Sequence, residues 1–422
     1  MITREASPLA SPFTALRHRN YRLFWFGQMI SLIGTWMQTT GQSWLVLILT
    51  NSPFLLGLIS ALQFTPVLIF SLIAGAVADR VPKRQMLVVT QTTLMLLAFI
   101  LSVLTLTGRV RYWHIAVLAA LLGLTNAFDG PTRQAFVVEM VGGKDDLMNA
   151  IALNSAIFNV ARIVGPAVSG LVTKKFGPGW AFFANGVSFL AVIFALIAMR
   201  IDKPTHGQAV HRSIAADVRE GIGYIGRTPL VLTVILLLGL VSIFTLNFNV
   251  FVPLLAKDIL KGDAGLYGYL MSAMGLGALA GAIGLAFISS RGPQRQLLAT
   301  GAALVSAAEV ALAFVRHSSV AAVDLAVAGL AMITFTATSN TTVQVTVPDR
   351  LRGRVMSVYF LVFAGVTPFG ALFAGSLAEK FGTPAAMAVG GTAGLISTAA
   401  VGIWWQRAKA DNRSPGSTEP DQ

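Results

Sequence analysis

The sequence predicts an all-α integral membrane protein with twelve transmembrane helices arranged as two six-helix, pseudo-symmetric bundles. Three observations lead there. Apolar runs recur from Tyr21 to Gln406, each near the roughly 20 residues that a bilayer-spanning helix needs. Positive charge is unevenly shared between alternate loops. The second half of the chain repeats the pattern of the first.

The composition agrees with the bilayer as solvent. Of the 422 residues, 55% are hydrophobic and 12% are charged, with a mean hydropathy of +0.71. Soluble chains carry about twice that charged fraction. There is no Cys, which removes disulfides and thiolate metal sites. The segment before Tyr21 is polar and basic, with Arg4, Arg17 and Arg19, and lacks the apolar core of a cleaved signal peptide.

The expected spans are 21–49, 54–78, 86–107, 113–138, 147–173, 180–199, 229–256, 265–288, 296–315, 320–345, 355–378 and 384–406. With the N-terminus cytoplasmic, roughly 21 Lys and Arg fall on the cytoplasmic side and roughly 8 on the other. Twelve spans return the C-terminus to the same side. The net charge of +13 is therefore a topology signal, with anionic-lipid contact as a second use, and gives no reason to expect a nucleic-acid partner.

The expected organisation is a cytoplasmic segment 1–20, a bundle 21–199, a cytoplasmic linker 200–228, a bundle 229–406 and a disordered tail 407–422. An amphipathic surface helix is expected around Ile214 to Ile225 in the linker. A shift of 211 positions lays Leu55, Gly57, Arg80, Pro82, Arg84 and Gln85 over Leu266, Gly268, Arg291, Pro293, Arg295 and Gln296. A shift of 205 lays Phe158, Gly165, Gly170, Lys175, Phe176 and Gly177 over Phe363, Gly370, Gly375, Lys380, Phe381 and Gly382. Parallel repeats of this kind suit alternating-access transporters, whose site lies between the halves near the midplane.

The sharpest motif is Gly75-Ala-Val-Ala-Asp79-Arg80-Val-Pro82-Lys83-Arg84, between the second and third spans. Gly75 would let helices approach closely. Arg80, Lys83 and Arg84 would anchor the loop at the cytoplasmic interface. The motif resembles the signature loop of the major facilitator superfamily, with Pro82 where that family usually has Gly and Ser290 replacing the Asp in the second copy. The resemblance runs through the twelve spans, the long linker and the repeat. It implies that the loop latches one state of a transport cycle, with Asp79 as its carboxylate.

Gly165-Pro166-Ala-Val-Ser169-Gly170 in the fifth span resembles the Gly-Pro stretch of the family's exporters, with Ala161 and Ser169 at usual Gly positions. Proline interrupts the backbone ladder there and allows a bend, although such glycines also serve ordinary helix packing. The stretch from Asn126 through Asp129, Pro131 and Arg133 to Glu139, with Asn149, Asn154, Asn159 and Arg162, resembles the drug and siderophore exporter branch that contains the enterobactin exporter and macrolide efflux proteins. A charge inside a span normally has a partner. Asp129 is the expected counter-charge of Arg162, and Arg133 that of Asp79 or Glu139; the pairs serve either proton coupling or static packing. Trp36, Gln38, Gln42, Gln63, Asn247, Asn340 and Gln344, with Asn126 and Asn154, are candidate cavity residues, although such an amide taken alone is more often an interhelical hydrogen bond than a ligand contact.

No phosphate-cradling Gly-Lys-Ser/Thr loop occurs, and no His lies deep in a span. The expectation is a monomeric secondary transporter, not an enzyme, in a bacterial inner membrane. It would export a small amphipathic or apolar compound, drug-like or siderophore-like, by proton antiport, with no cofactor and no metal. A lipid flippase or uptake permease on the same scaffold, or a membrane enzyme or sensor, are the alternatives.

Overall fold

A computed structural model describes residues 13–78, 80–141, 144–200, 214–288 and 295–411. Among them there is helix and no strand. After a single turn at Thr14–Arg17 come α1 (Arg19–Thr50), α2 (Pro53–Ala78), α3 (Lys83–Leu106), α4 (Tyr112–Met140), α5 (Lys144–Phe176) and α6 (Pro178–Ala198). The linker contributes α7 (Ile214–Arg227). The rest of the chain forms α8 (Pro229–Phe244), α9 (Phe248–Leu254) with a π-turn at Leu255–Ile259, α10 (Ala264–Ile288), α11 (Arg295–Leu312), α12 (Ser318–Thr346), α13 (Asp349–Gly365), α14 (Thr367–Phe381) and α15 (Thr383–Asp411).

Ten of these segments are long and apolar enough to cross a membrane, counting α8–α9 and α13–α14 as one crossing each. The remaining two of the expected twelve spans are α1 and α11. α1 carries a polar face that lowers its mean hydropathy, and the apolar part of α11 is only Gln296–Leu312. Both pack lengthwise on neighbours, α1 on α5 and α6, α11 on α12 and α15. Large apolar side chains such as Phe194, Phe287 and Phe314 stand exposed on the outside of the bundle, as lipid-facing residues do.

Two spans are broken where continuous helices are expected. α8 ends at Phe244 and α9 begins at Phe248; the Asn247 amide donates to the Ile243 carbonyl at 2.7 Å and replaces a backbone bond in the gap. α13 gives way to α14 at Val366, two residues before Pro368, which has no N–H to continue the ladder. The tail also differs from expectation, because α15 continues past Gln406 to Asp411.

The linker helix is amphipathic as its sequence suggests, but it docks on protein. Glu220 accepts from Arg350 at 3.4 Å and from Arg354, and Gly221 lies against the Arg354 carbonyl. This ties α7 to the start of α13.

The repeat is visible in the geometry. Gly177 and Gly382 end α5 and α14 with φ of 89° and 84°, a left-handed setting that glycine adopts without steric cost. Lys175 lies 5.3 Å from the Phe176 ring centroid, and Lys380 lies 5.2 Å from that of Phe381. α5 packs on α10, and α14 packs on α2, through the matched glycines Gly170, Gly268, Gly375 and Gly57.

Candidate functional site

A cavity of about 820 Å³ lies among α1 to α6 and reaches α12 at Ile333. Its polar lining begins on α1, where Gln28, Ser31, Thr35, Gln38, Thr39 and Gln42 share one face. Those positions recur every three or four residues, the spacing of one helical stripe. Sequence reasoning that singles out only Gln38 and Gln42 misses the stripe, although the periodicity carries it. Gln63, Asn126, Gln134, Asn154, Asn159 and Asn185 add amides from the facing helices, and Phe24, Leu94, Leu122 and Phe189 add apolar wall. Asn185 donates to Gln38 Oε1 at 2.7 Å, and the Tyr21 hydroxyl lies 3.0 Å from Asn154 Oδ1.

Four candidate cavity residues lie elsewhere. Trp36 is turned against Phe158 edge to face at 5.8 Å and sits over Gly165. Asn247 is buried in the α8–α9 gap, and Asn340 accepts from Gln344 on α12. For Asn247, Asn340 and Gln344 a partner on the same span takes up the amide.

The charged residues pair differently from expectation. Asp129 is buried, and its Oδ1 accepts from Thr90 Oγ1 at 2.7 Å and Gln91 Nε2 at 2.8 Å. Its Oδ2 accepts from Arg133 Nε at 3.0 Å and also pairs with Arg133 Nη2. Asp129 is thus bound to Arg133 one turn on, and not to Arg162. The i, i+4 spacing on one helix brings the pair together without interhelical help. Glu139 pairs with Lys83 at 2.6 Å, so it is not the partner of Arg133 either. Arg162 lines the cavity; its described polar contact is Nη2 to the Met332 sulfur of α12 at 3.8 Å.

The signature loop is described in part. Asp79 lies outside the described residues. Lys83 holds Glu139 at the end of α4, while Arg84 donates to the carbonyls of Leu196 at 2.7 Å and Ile197 at 2.8 Å. Arg84 thereby caps α6, whose last carbonyls lack helical partners. Arg80 is exposed. Gly75 does not mediate close packing as expected: a methyl group built there meets nothing within 4 Å. The Gly-Pro motif does. A β-carbon on Gly165 would stand 2.9 Å from the Ile33 carbonyl of α1, and one on Gly170 would stand 3.0 Å from the Gly268 α-carbon of α10. Pro166, between them, sits in the continuous α5.

Contacts across the two sets of six helices gather at the end where α1 meets α2. Lys257 donates to the Leu47 carbonyl at 2.9 Å and to Asn51 Oδ1 at 2.6 Å. Glu379 of α14 accepts from Ser52 Oγ at 2.9 Å and from the Phe54 amide at 3.2 Å. Lys174 and Asp263 pair at 3.0 Å. At the opposite end, the polar contacts among the described residues stay within one set of six helices, as between α1 and α5 or α6 and between α3 and α4 or α6, or join α7 to α12 and α13. The cavity, whose lining includes Phe24, Val138 and Leu147, extends towards that opposite end.

Glu309 is a further buried acid. It is fully enclosed on α11, beside Thr245 and facing Gly390 of α15, with no cationic partner among the described residues. Among the described residues no cluster of three His, Cys, Asp or Glu is placed to hold a metal.

A helical bundle of this length, with lipid-facing apolar flanks and a polar-lined cavity at membrane depth, is a multi-pass membrane protein. The chain belongs to the transmembrane secretion effector family of the major facilitator superfamily, whose family model matches residues 10–419. Relatives include the multidrug efflux pump Tap of Mycolicibacterium fortuitum, 26% identical over 85% of this chain and 89% of Tap. The staphyloferrin A transporter of Staphylococcus aureus is 22% identical over 86% of this chain and 90% of its own. The enterobactin exporter EntS of Shigella boydii is 23% identical over 63% of each. Among solved structures, a bacterial homologue of the human lysosomal transporter Spinster, inward-facing and occupied, superposes with a TM-score of 0.73 at 14% identity, over 94% of this chain and 99% of that one. A peptide transporter, POT, superposes with a TM-score of 0.74 at 14% identity, over 92% and 94%. At that identity the likeness is one of fold.

Proposed function

We propose that this protein is a secondary transporter that exports a small amphipathic organic compound from the cytoplasm by proton antiport and alternating access. The observation that carries the reading is the pairing of a polar-lined cavity with contacts that close only the α1–α2 end. With both termini cytoplasmic, that end faces outward and the conformation is inward-open, ready to load. Helices 21–199 and 229–406 are the two moving bodies, with residues 200–228 as the tether and 407–422 as the tail. The names of Tap, EntS and the staphyloferrin A transporter support a drug or siderophore-like cargo.

In this reading Asp129 carries the proton. Arg133 lines the cavity and Asp129 lies behind it, so protonation of Asp129 frees the guanidinium to turn inward, and deprotonation draws it back. One proton crossing 100 mV supplies about 2.3 kcal/mol, enough to bias the cycle. Glu139, Lys83, Arg84 and Arg80 set the cytoplasmic gate, and the Gly165–Gly170 stretch is where α5 yields.

The test is accumulation of a compound panel in a pump-deficient host with and without this gene, repeated with a protonophore. Lower accumulation that the protonophore abolishes is the expected result. Higher accumulation would assign uptake and overturn the export reading. Orientation is tested separately: a cysteine at His206 should react with an impermeant reagent only after lysis.

A further inference from the structure

The cavity has an unbalanced charge. Its lining contains two cations, Arg133 and Arg162, and no Asp or Glu. Arg133 is neutralised by Asp129. Arg162 is not so served: its described polar contact is a thioether sulfur, a weak acceptor. It stands near the middle of α5, at the depth where a charge normally brings its own partner. Guanidinium groups stay protonated in proteins. A site that keeps one exposed to a cavity at that depth is short of an anion.

The surroundings say what kind. Asn126, Asn154 and Asn159 bring amide donors and acceptors to the same cavity, and Phe24, Leu94 and Phe189 supply apolar surface. Arg162 touches Met332, and Ile333 beside it closes the cavity from α12, so the charge lies where the first six helices meet the second set. A group bound there touches both moving bodies.

We propose that Arg162 is the head-group receptor of this cavity and that the cargo is an amphipathic organic anion, with a carboxylate or similar oxyanion on the Arg162 fork and an apolar body along the Phe24–Phe189 wall. A guanidinium meets a carboxylate through two parallel N–H···O bonds, which fixes orientation as well as charge. An organic cation would face an uncompensated like charge in a low-dielectric site, which selects against it. This assignment rests on the transport reading above, since it names the cargo of the same cavity.

The test uses full-length protein in nanodiscs of zwitterionic lipid and two xanthene dyes of similar size and opposite charge, carboxyfluorescein and rhodamine 6G, with affinity read by fluorescence polarisation. The wild type should bind the anionic dye at least about tenfold more tightly, with a preference that shrinks as salt rises. Arg162→Met should weaken anion binding by about ten- to a hundredfold and leave the cationic dye unchanged or tighter. Arg162→Lys should keep the charge preference while losing part of the affinity, because an ammonium lacks the fork. Equal or tighter rhodamine binding by the wild type, or anion binding untouched in Arg162→Met, would overturn the assignment. Should Arg162→Met fail to fold, the wild-type dye pair and its salt dependence still decide. Binding is measured without transport, so a protein that prefers the anion yet lowers no accumulation in cells refutes export alone.

Discussion

Gly170 of α5 and Gly268 of α10 lie so close that a β-carbon added to Gly268 would stand 2.8 Å from the Gly170 α-carbon. The same relationship recurs between their sequence counterparts. A β-carbon on Gly57 of α2 would stand 3.3 Å from the α-carbon of Gly375 of α14. Two glycine crossings, one in each repeat-related position, therefore join the two sets of helices at the α1–α2 end. Small residues let helix backbones meet, and the van der Waals contact they gain is what holds helices together where lipid offers no hydrophobic drive.

Substituting these glycines should act on the closed end. Gly268→Val places bulk against the Pro166 carbonyl as well as Gly170, and overpacking of this kind costs about 1–3 kcal/mol. The expected outcome is a folded protein whose α1–α2 end no longer closes. Because the chain has no Cys, spin labels at Thr107→Cys and Ser319→Cys report the opening directly, and the distance distribution should lengthen. An unchanged distribution in Gly268→Val would show that the crossing is not a gate contact.

Acid should loosen the same end through Asp263. Hydrogen bonding to Lys174, with help from the Leu266 and Gly265 amides, holds the Asp263 carboxyl below the usual aspartate range. A group whose pKa is lowered by folding contributes fully above its ordinary value, and its contribution is lost as pH falls through the lowered one. The closed-end population seen with the Thr107 and Ser319 labels should therefore fall with pH below the ordinary aspartate range. In Asp263→Asn that step should vanish, with the end more open at neutral pH. Both groups are well exposed, so the effect is a shift in population and not a loss of fold.

Lys257 should matter more than the exposed pair. Its ammonium donates to Asn51 Oδ1 and to the Leu47 carbonyl, which also accepts from the Asn51 amide, at the C-terminal end of α1. A cation at a helix C-terminus contributes about 0.3–1 kcal/mol when exposed and up to about 2 kcal/mol when partly buried. Lys257→Met should shift the closed-to-open ratio by up to about thirtyfold, read from the same labels. A change smaller than that of Asp263→Asn would place the main closure elsewhere.

The sequence makes the bilayer-crossing runs legible because a membrane leaves few alternatives to a long apolar helix. It is silent on where those runs break. Asn247 and Pro368 interrupt α8–α9 and α13–α14 without changing the hydropathy around them, and α11 and the polar-faced α1 fall short of that measure while packing with the rest. Asp129 and Arg133 stand one turn apart and pair, although from sequence Asp129 is assigned to Arg162 and Arg133 to Asp79 or Glu139; the shared helix face is present in the spacing, but the choice of partner is not. Partners on different helices do not read at all, which is why Arg162 suggests Asp129 from sequence and meets Met332 in space. The α1 stripe from Gln28 to Gln42 lies between these cases, since its period is present in the sequence but its orientation is decided by α5 and α6.

The coupling role of Asp129 makes the sharpest demand. Thr90, Gln91 and Arg133 all donate to it, so the site already satisfies an acceptor on both oxygens. If Asp129 carries the proton, Asp129→Asn imitates the protonated acid, and uphill export should stop while dye binding and downhill exchange survive. If the carboxylate only holds α3 and α4 together, Asp129→Asn leaves Arg133 without its counter-charge. Breaking a buried pair from one side costs about 3–5 kcal/mol, so the variant should express poorly. Replacing Asp129 and Arg133 together with apolar residues would then restore both expression and transport. Vesicles with an imposed pH gradient separate the cases: well-folded Asp129→Asn that still accumulates substrate removes Asp129 from coupling, and the enclosed Glu309 on α11 becomes the next carboxylate to replace.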